Sequence, residues 1–457
     1  MKTIHKSEKG QILVLLVLAL LGMLGFTALA VDGGMFYADR RYMQSAADAS
    51  SIAGAGVIGD SIEAQNMTTL EWSCTALNTS ITTAYSVTKE RALTNDFKIS
   101  KDSNLGTEGN TNGVKITCSQ SGKYADVWVM LTRDTTTSFV HLFTSGPMRN
   151  TVSSVTRIEP GLNAGAGYAI VSLSKYCGNN KNVPTAFGGT KLSGTTDVMV
   201  ITGGIWSNSC IDASGGPDVT ITEENKNTIR PNSIFYNANF PYVPPGSGTV
   251  QPDPSATTAL HPLTSMTLPS PGKNCKDTSE DSYNSMNNIE GSLAPGNYNN
   301  LSFKGPTTLS AGLYCISGTV FMNANASVSG QGITIYYTGT SMVLNGAANN
   351  SLLSPNWEPV HKIEAVNGAV EDMLIYVPPE VKADVTINGS SDSYFGGTVY
   401  APTSNIFIAG NATMGHETVA EMALIGYRVD LTGASFFNIK YDANSDYSLP
   451  AVLQVKN

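Results

Sequence analysis

The sequence contains little charge, and almost none of that charge is concentrated. Only 14% of its 457 residues are Asp, Glu, Lys or Arg, and the net charge is −9. A disordered acidic tail needs runs of like charge, and a nucleic-acid surface needs clustered basic residues. Neither pattern occurs beyond a short lysine-bearing N-terminus, so we expect a folded chain without a nucleic-acid partner.

Complete catalytic and metal-binding motifs are also missing. The chain has five histidines, and no GxSxG or Walker A motif occurs. The segment Gly415–Glu421 begins like the zinc motif HExxH, but Ala420 stands where the second histidine is required. Gly54, Gly56 and Gly59 spell GxGxxG within an Ala-rich helical stretch rather than after a strand, which argues against a dinucleotide site. We therefore expect no metal, no cofactor and no enzymatic activity.

One group of carboxylates keeps an enzymatic alternative open. It consists of Asp384, Asp392, Glu417 and Asp430. On one face of a β-helix these residues would resemble the catalytic groups of polysaccharide-cleaving β-helix enzymes. The simpler interpretation is that they are solvated surface residues. A membrane-tethered, carbohydrate-active β-helix enzyme is accordingly the alternative function.

The six cysteines form no CxxC pair, and their spacings are too wide for a zinc ribbon or a thioredoxin site. An even number of cysteines in an exported chain is typical of disulfides. Sequence alone allows 15 connectivities, and free buried thiols are the other possibility. The simplest arrangement pairs neighbours along the chain, which gives Cys74–Cys118, Cys177–Cys210 and Cys275–Cys315.

One long apolar run interrupts this polar composition. Residues 12–31 carry no charge, and at about 1.5 Å per residue a helix of this length crosses a hydrocarbon core. Lysines precede the run at positions 2, 6 and 9, and Asp32 follows it, so the N-terminus is predicted to be cytoplasmic and the rest of the chain extracytoplasmic. The alternative is a signal peptide cleaved after Ala30 in the sequence Ala28-Leu29-Ala30.

The segment Gly10–Ala55 resembles the N-terminal module of TadG-like and TadE-like proteins of the Flp (tight-adherence) pilus system. The resemblance rests on a Gly before the membrane helix and on a phrase after it, with matching residues Val31, Asp32, Gly34, Tyr37, Arg40, Gln44, Ala47, Asp48 and Ala49. It implies a membrane anchor, a pilin-like globule beyond it, and other Tad/Flp pilus components as partners besides the lipid bilayer. Surface polysaccharide or cell wall is a further candidate partner.

Two positions depart from this family. Flp-type prepilins carry Glu five residues after the cleaved Gly, whereas Leu15 stands five residues after Gly10 here, which argues against prepilin processing. Some larger TadG-like proteins carry a DxSxS metal motif. The sequences that begin at Asp48 and Asp212 lack its last serine, which is replaced by Ile52 and Gly216.

The remaining chain divides by composition. We predict a cytoplasmic segment 1–11, a transmembrane helix 12–31 and a pilin-like α+β module 32–160, with a second helix over 69–95 and an antiparallel sheet. A first β-rich block follows at 161–240. Residues 241–273 are rich in Pro, Ser and Thr and predict a linker or insertion that could also wrap along the surface of the β-rich region.

Residues 274–457 are expected to form a β-solenoid head, because short apolar segments recur between Gly and Asn corners. A β-sandwich is the alternative, since no strict repeat is readable. The residues expected to face inward are Val320, Ile333, Ile335, Val343, Val385, Ile387, Val399, Ile406, Ile408 and Leu424. The predicted whole is an α+β, mainly β, non-enzymatic protein of the cell membrane with an exported adhesive or scaffolding head.

Overall fold

The computed structural model shows a mainly β chain with an N-terminal apolar helix, divided into two compact units. Unit 1 comprises residues up to Gly161 together with Pro450–Asn457, and unit 2 comprises Leu162–Leu449. The structure describes residues 11–456 except for 66, 68–71, 103–111, 140–147, 184, 186, 195–197, 223–232, 265, 276–283, 346–349, 357–363, 390–392, 411–421, 434–436, 442–446 and 450.

Unit 1 combines two helices with one sheet. The helices are α1 (Gln11–Ala64) and α2 (Asn78–Thr94), and the strands are β1 (Lys101–Asp102), β2 (Gly113–Ser119), β3 (Tyr124–Thr135), β4 (Met148–Glu159) and β31 (Val452–Lys456). The sheet order is β1-β2-β3-β4-β31. β1 and β2 are parallel, and the other three pairings are antiparallel. α2 begins nine residues later than predicted, after the disulfide-bonded Cys74.

Helix α1 has two halves with opposite environments. At about 1.5 Å per residue its 54 residues extend for about 80 Å. Large apolar side chains of the first half are exposed, for example 68% at Leu13 and 71% at Leu29. Helix α1 is long and apolar enough to cross a membrane.

The second half of α1 packs into the core of unit 1 through small residues. Ala46, Ala47 and Ala55 are fully or almost fully buried, together with Ile58. A Cβ atom placed on Gly54 would meet the hydroxyl of Thr88 on α2. The absence of a side chain at Gly54 therefore allows the close approach of the two helices, which gives the first glycine of the GxGxxG pattern a packing explanation.

The last strand of the chain belongs to unit 1, which corrects the expectation that 274–457 forms one head. β31 pairs with β4 over five positions, from Val452 opposite Glu159 to Lys456 opposite Val155. Because unit 2 lies between β4 and β31 in sequence, it is an insertion between two adjacent strands of the unit 1 sheet. Its entry and exit strands, β5 (Leu162–Asn163) and β30 (Ser448–Leu449), pair with each other.

The first part of unit 2 consists of short strands. They are β6 (Tyr168–Ser172), β7 (Gly178–Asn179), β8 (Phe187–Gly194), β9 (Val198–Thr202), β10 (Gly204–Ser207), β11 (Ile211–Asp212), β12 (Asp218–Thr222), β13 (Ile234–Asn237), β14 (Tyr242–Val243), β15 (Val250–Gln251) and β16 (Ser255–Thr257). Two 3-10 turns follow at Pro262–Thr264 and Pro271–Asn274.

The second part of unit 2 continues with short strands and a few long ones. They are β17 (Asn284–Leu293), β18 (Gly296–Leu309), β19 (Gly312–Ile316), β20 (Val320–Met322), β21 (Ser327–Gln331), β22 (Ile333–Tyr337), β23 (Ser341–Asn345), β24 (Ser351–Leu353), β25 (Met373–Tyr376), β26 (Asp384–Gly389), β27 (Tyr394–Gly410), β28 (Met422–Gly433) and β29 (Phe437–Lys440).

Strands of unit 2 pair in parallel, and most pairs join strands three positions apart in the chain. β19 pairs with β22, β20 with β23 and β21 with β24. The exceptions within the described part of unit 2 are the antiparallel pairs β5–β30 and β7–β8. The antiparallel sandwich considered as an alternative is therefore wrong for this unit.

Inward residues of successive strands stack on one another. One such column runs Leu301, Val320, Met342, Val385, Ile406, Val429, Thr190, Ile211 and Tyr242. A second runs Ile335, Ile375, Val399, Leu424, Ile170, Ile205 and Ile234. The residues expected to face inward are buried, with one exception. Val343 is half-buried, and its neighbours Met342 and Leu344 face the core instead.

These columns reveal an order that differs from the order of the chain. The early strands β6 and β8 pair with the late strand β28, and β9 pairs with β29. The stack therefore begins at β17, proceeds to β28, and continues through β6 and β10 to β16. The two β-rich blocks form one continuous arrangement rather than two separate regions.

Residues 241–273, expected to be a linker or insertion that could wrap along the β-rich surface, contribute strands and contacts to unit 2. Residues 242–257 supply β14, β15 and β16. Residues 258–275, here called the return segment, then pass back along the stacked strands. The segment contacts Asn208 through the His261 N–H (2.8 Å) and Tyr376 through the Leu268 carbonyl (2.7 Å), and it ends in the Cys275–Cys315 disulfide. Leu263 and Leu268 are buried. The segment connects one end of the stack to the other.

Candidate functional site

The positions that carry the family resemblance lie where α1 meets the sheet of unit 1. Asp32 directly follows the apolar run, and it is only 1% exposed. Its two carboxylate oxygens accept hydrogen bonds from the backbone N–H groups of Ser138 (2.6 Å) and Phe139 (2.8 Å). A buried carboxylate needs such donors to offset its lost hydration. Asp32 therefore fixes the helix to the segment that follows β3.

Between one and about three turns further along, side chains join α1 to β4. The amide of Asn150 donates to the carbonyl of Phe36 at 3.2 Å. The amide of Gln44 donates to Asp48 one turn on (2.9 Å) and to the carbonyl of Ser153 (3.2 Å). Gln44 thus links the helix to the strand, and Asp48 holds Gln44 in the orientation that makes the link.

A buried hydroxyl cluster continues the same contact. The hydroxyl of Ser51 lies 3.0 Å from that of Ser154 and 2.8 Å from that of Thr156. All three residues are at most 3% exposed. Polar groups buried in this way stabilise a fold only when they are satisfied, so they select one register of helix against strand.

Gly34 has no such contact: a Cβ atom there would meet nothing within 4 Å. Tyr37 is 69% exposed, and both Arg40 and Arg41 are exposed. The family phrase therefore contains two kinds of position. Asp32, Gln44 and Asp48 hold the helix to the sheet, whereas Gly34, Tyr37 and the two arginines remain on the open side of α1.

The outer face of the unit 1 sheet carries cross-strand ion pairs. Arg157 lies opposite Asp126 and forms a two-pronged contact with it (2.7 and 2.8 Å). This contact raises the pKa of the Arg157 guanidinium above its ordinary value. Arg149 makes the same contact with Asp134 (2.7 and 2.9 Å), in a more exposed position. Both pairs hold β3 and β4 in register.

The six cysteines form three disulfides in the structure, and neighbours along the chain are paired. They are Cys74–Cys118 in unit 1 and Cys177–Cys210 and Cys275–Cys315 in unit 2. Cys74–Cys118 ties the turn before α2 to β2. Cys177–Cys210 ties the loop after β6 to the residue before β11, and Cys275–Cys315 ties the end of the return segment to β19.

Of the carboxylates considered for catalysis, the two that the structure describes each bond a basic side chain. Asp384 accepts from Lys181 (2.9 Å) and from the amide of Asn405 (2.7 Å). Asp430 accepts from Arg428 at 2.6 Å. Asp392 and Glu417, and with them the HExxH-like segment, lie outside the described residues. Each described carboxylate thus has its own cation, an arrangement that suits structure better than proton transfer.

Arg428 is a buried cation that sequence analysis did not identify. Its side chain is 4% exposed, and besides Asp430 it bonds the side chain of Asn179 (2.6 Å) and the carbonyl of Gly178. Burial raises the pKa of Asp430, an effect that Arg428 partly offsets. No sequence motif marks the contact of Arg428 with Asn179, because the two residues are 249 positions apart in the chain.

His261 of the return segment is the other buried titratable group of note. It is 1% exposed and lies near Tyr168 and Trp206, with ring centroids 6.4 and 6.0 Å away. Burial lowers its pKa to about 4, against a smaller opposing effect of the Gly165 backbone. Within the described part of the chain, no group of three or more His, Cys, Asp or Glu side chains could hold a metal ion.

These features define a class: a mainly β protein with an N-terminal helix able to cross a membrane and a sheet that packs on the second half of that helix. Residues 10–57 match the family model described as "Putative Flp pilus-assembly TadE/G-like", so the resemblance inferred from the residues is confirmed for this segment. No curated protein and no solved structure matches the chain.

Proposed function

We propose that this protein is a membrane-anchored, non-enzymatic component that works with the Flp pilus assembly machinery and presents a β-rich head outside the cytoplasmic membrane. The observation that carries the proposal is the family match over residues 10–57. The matched segment includes most of the exposed apolar half of α1 and the part that docks on the sheet. One segment thus supplies both the anchor and the attachment of a folded module.

The anchor is proposed to be retained, with its N-terminus in the cytoplasm. Helix α1 continues without interruption from Gln11 to Ala64, and Asp32 is held by two backbone N–H groups beyond the apolar run. The lysines before the run support the orientation. Cleavage after Ala30 would free the module from the membrane, although it would leave its export intact.

Unit 1 is proposed to be a pilin-like module. A long N-terminal helix, apolar and exposed in its first half, packs through its second half on an antiparallel sheet of β2, β3, β4 and β31. Such a module would bring the chain into contact with other Tad/Flp components. The exposed Tyr37, Arg40 and Arg41 are available for these contacts.

Unit 2 is proposed to be a β-solenoid that serves as a scaffold or adhesive head. Parallel pairing of strands three positions apart and the columns of stacked inward residues support this architecture. The pairing of Asp384 with Lys181 and of Asp430 with Arg428 supports a non-catalytic role. The three disulfides suit an oxidising compartment outside the cytoplasm.

The proposal can be tested by topology and co-isolation of the full-length protein in its native host. We expect the chain to fractionate with membranes, to lose residues beyond Asp32 when protease is added to spheroplasts, and to co-isolate with pilus components after crosslinking. A variant with Leu16→Asp and Leu20→Asp should leave the membrane fraction, whereas Tyr37→Asp should remain in it.

Protection of unit 2 from external protease would contradict the proposed orientation. A mature N-terminus at Val31, found by mass spectrometry, would contradict the retained anchor but not export. Absence of every pilus component from the crosslinked material would contradict the proposed partnership.

A further inference from the structure

A cleft of about 360 Å³ lies on the outside of unit 2, across several consecutive paired strands. Its lining includes Thr340, Asp384, Asn405, Tyr427 and Phe187. Thr340 directly precedes β23, Asp384 begins β26, and Phe187 begins β8, whereas Asn405 and Tyr427 lie inside β27 and β28. These strands pair in the order β23, β26, β27, β28 and β8. With strands about 4.8 Å apart, the four steps give the cleft a length of about 19 Å along the stack.

One wall of the cleft is preorganised. Lys181 reaches across to Asp384 (2.9 Å) and lies 4.5 Å from the centre of the Phe407 ring. The loop that carries Lys181 is fixed by the Cys177–Cys210 disulfide and by the hydrogen bond from Arg428 to Asn179. These two contacts hold the loop before Lys181, and the pairing of β7 with β8 joins its two ends. The wall therefore does not have to be ordered when a ligand arrives.

The cleft is cationic although the chain as a whole is acidic. Lys181 and Lys382 line it, and Asp384 is the carboxylate found among its described lining residues. Asp384 is already bonded to Lys181 and to Asn405, so the charge of Lys382 stays available. A second cleft of about 410 Å³ shares Thr403 and Tyr427 with the first and adds Lys175.

The polar and aromatic groups suit a chain of sugar rings. Thr340, Thr403 and Asn405 can exchange hydrogen bonds with hydroxyl groups. The half-buried Tyr427 offers a flat surface against which the C–H face of a ring can pack. The lysines are suited to carboxylate groups along such a chain. The combination fits an acidic polysaccharide better than a neutral one.

An acidic peptide fits less well. The strands under the cleft are paired with neighbours on both sides, so their backbone N–H and C=O groups are not open for an added peptide strand. A phosphate polymer also fits less well, because Arg428, which could bind phosphate with two prongs, is occupied by Asp430 and Asn179.

We propose that this cleft binds a segment of an acidic, uronate-containing polysaccharide several sugar residues long. The proposal rests on the proposed function in one respect, since unit 2 can encounter extracellular polysaccharides only if it lies outside the cytoplasmic membrane. Lys382 binds a sugar carboxylate, Tyr427 packs on a ring face, and the Lys181–Asp384 pair forms the fixed wall.

The test measures binding of the purified full-length protein in detergent micelles to three immobilised polymers by biolayer interferometry. Polygalacturonate is the acidic polysaccharide, dextran the neutral polysaccharide, and polyglutamate the acidic polymer without sugar rings. We expect saturable binding to polygalacturonate and clearly weaker binding to the other two. Lys382→Gln, which removes a cation with no ion pair among the described residues, should weaken that binding by about tenfold.

Three further variants complete the test. Tyr427→Ala should weaken polygalacturonate binding, and Lys181→Gln combined with Lys382→Gln should weaken it more than Lys382→Gln alone. Lys304→Gln is the matched control, because Lys304 is an exposed lysine of the same unit that does not line the cleft. It should leave binding unchanged, and circular dichroism should report the same fold for all variants.

Equal binding by wild type and Lys382→Gln would overturn the proposal, as would polyglutamate or dextran binding as tight as that of polygalacturonate. Absence of binding to all three polymers would also overturn it. Because the assay uses purified protein, its result does not depend on membrane topology or on pilus partners. Failure of the cleft and failure of the proposed function can therefore be told apart.

Discussion

In unit 1 two helices cover one face of a five-stranded sheet, whereas in unit 2 short parallel strands surround their own core. The unit 1 core is made by α1, α2 and the inward face of β2, β3 and β4, so a single helix contacts most of it. In unit 2 an inward residue contacts mainly its counterparts on the strands before and after it. Unit 1 is therefore organised around one long helix, whereas unit 2 is organised by repeated pairing of parallel strands.

Truncation of a buried isoleucine in the middle of unit 2 is expected to give the largest difference in stability between the two units. Ile408 is fully buried between Ile387 and Leu431. Ile408→Ala should lower the free energy of unfolding of unit 2 by about 2–5 kcal/mol, because it removes packed methylenes and leaves a cavity. Native-state hydrogen exchange, read by mass spectrometry, should show the loss in β26–β28 peptides and no change in β3 and β4 peptides.

Val343→Ala is the matched control for this substitution. Val343 is half-buried, so its truncation should cost less than about 1 kcal/mol. An equal loss at both positions would show that the column of stacked residues does not determine stability. Faster exchange in unit 1 peptides would show that the two units do not unfold separately.

The stability of the two units is expected to depend differently on pH, because unit 2 contains the buried imidazole of His261. The pKa of His261 is lowered from 6.5 to about 4 by burial, so between these values the unfolded chain binds a proton that the folded unit does not. The free energy of unfolding of unit 2 should therefore be greatest above pH 6.5 and should fall by up to about 3 kcal/mol as the pH drops toward 4.

Denaturant titrations of the full-length protein between pH 4 and 7 measure this dependence, with hydrogen exchange assigning it to unit 2. In the variant His261→Leu the slope over this range should flatten, whatever the absolute stability of the variant. An unchanged slope would exclude His261 as its source. A slope of the same size in unit 1 peptides would contradict the contrast between the units.

The smallest effect is expected from the ion pairs on the outer face of unit 1. The Arg157–Asp126 pair is largely buried, with side chains 19% and 8% exposed, whereas the Arg149–Asp134 side chains are 46% and 41% exposed. Arg157→Lys keeps the charge but loses the two-pronged geometry, so it should cost unit 1 about 1 kcal/mol. Arg149→Lys should have a smaller effect, since water screens that pair. Chemical denaturation of the two variants measures the difference, and equal losses would rule out burial as its cause.

Much of the local structure could be predicted from the sequence because local patterns determine it. The apolar run indicated the exposed half of α1, and the family phrase indicated the half that packs on the sheet. Alternating residues indicated β2 and β3. The sequence of β23, by contrast, has three apolar residues in a row. Both faces fit that pattern, and a shift of one position put Val343 rather than Met342 inside.

The order of the strands in space could not be predicted. Parallel strands in unit 2 present similar backbone edges and similar apolar residues, so nothing local distinguishes the partner of β6. Its partner, β28, lies near the other end of the unit. For the same reason, neither the contact of Arg428 with Asn179 nor the pairing of β31 with β4 in unit 1 could be predicted. Each of these contacts joins segments that are far apart in the sequence, and patterns within a short stretch of sequence carry no information about the distant partner.

The pairing of early with late strands has a consequence for the time at which the chain can finish folding. Arg428 and Asn179 are 249 residues apart, and β6 and β8 lack their neighbour until β28 has been synthesised. Unit 1 also waits, because β31 is added to β4 by the last residues of the chain. A product whose translation stops before residue 422 would carry two open sheet edges at once, and such edges invite aggregation and degradation. The pairing of β6 and β8 therefore depends on β28, and the pairing of β4 on β31, so neither unit can complete its strand pairing during the synthesis of the strands that precede these two.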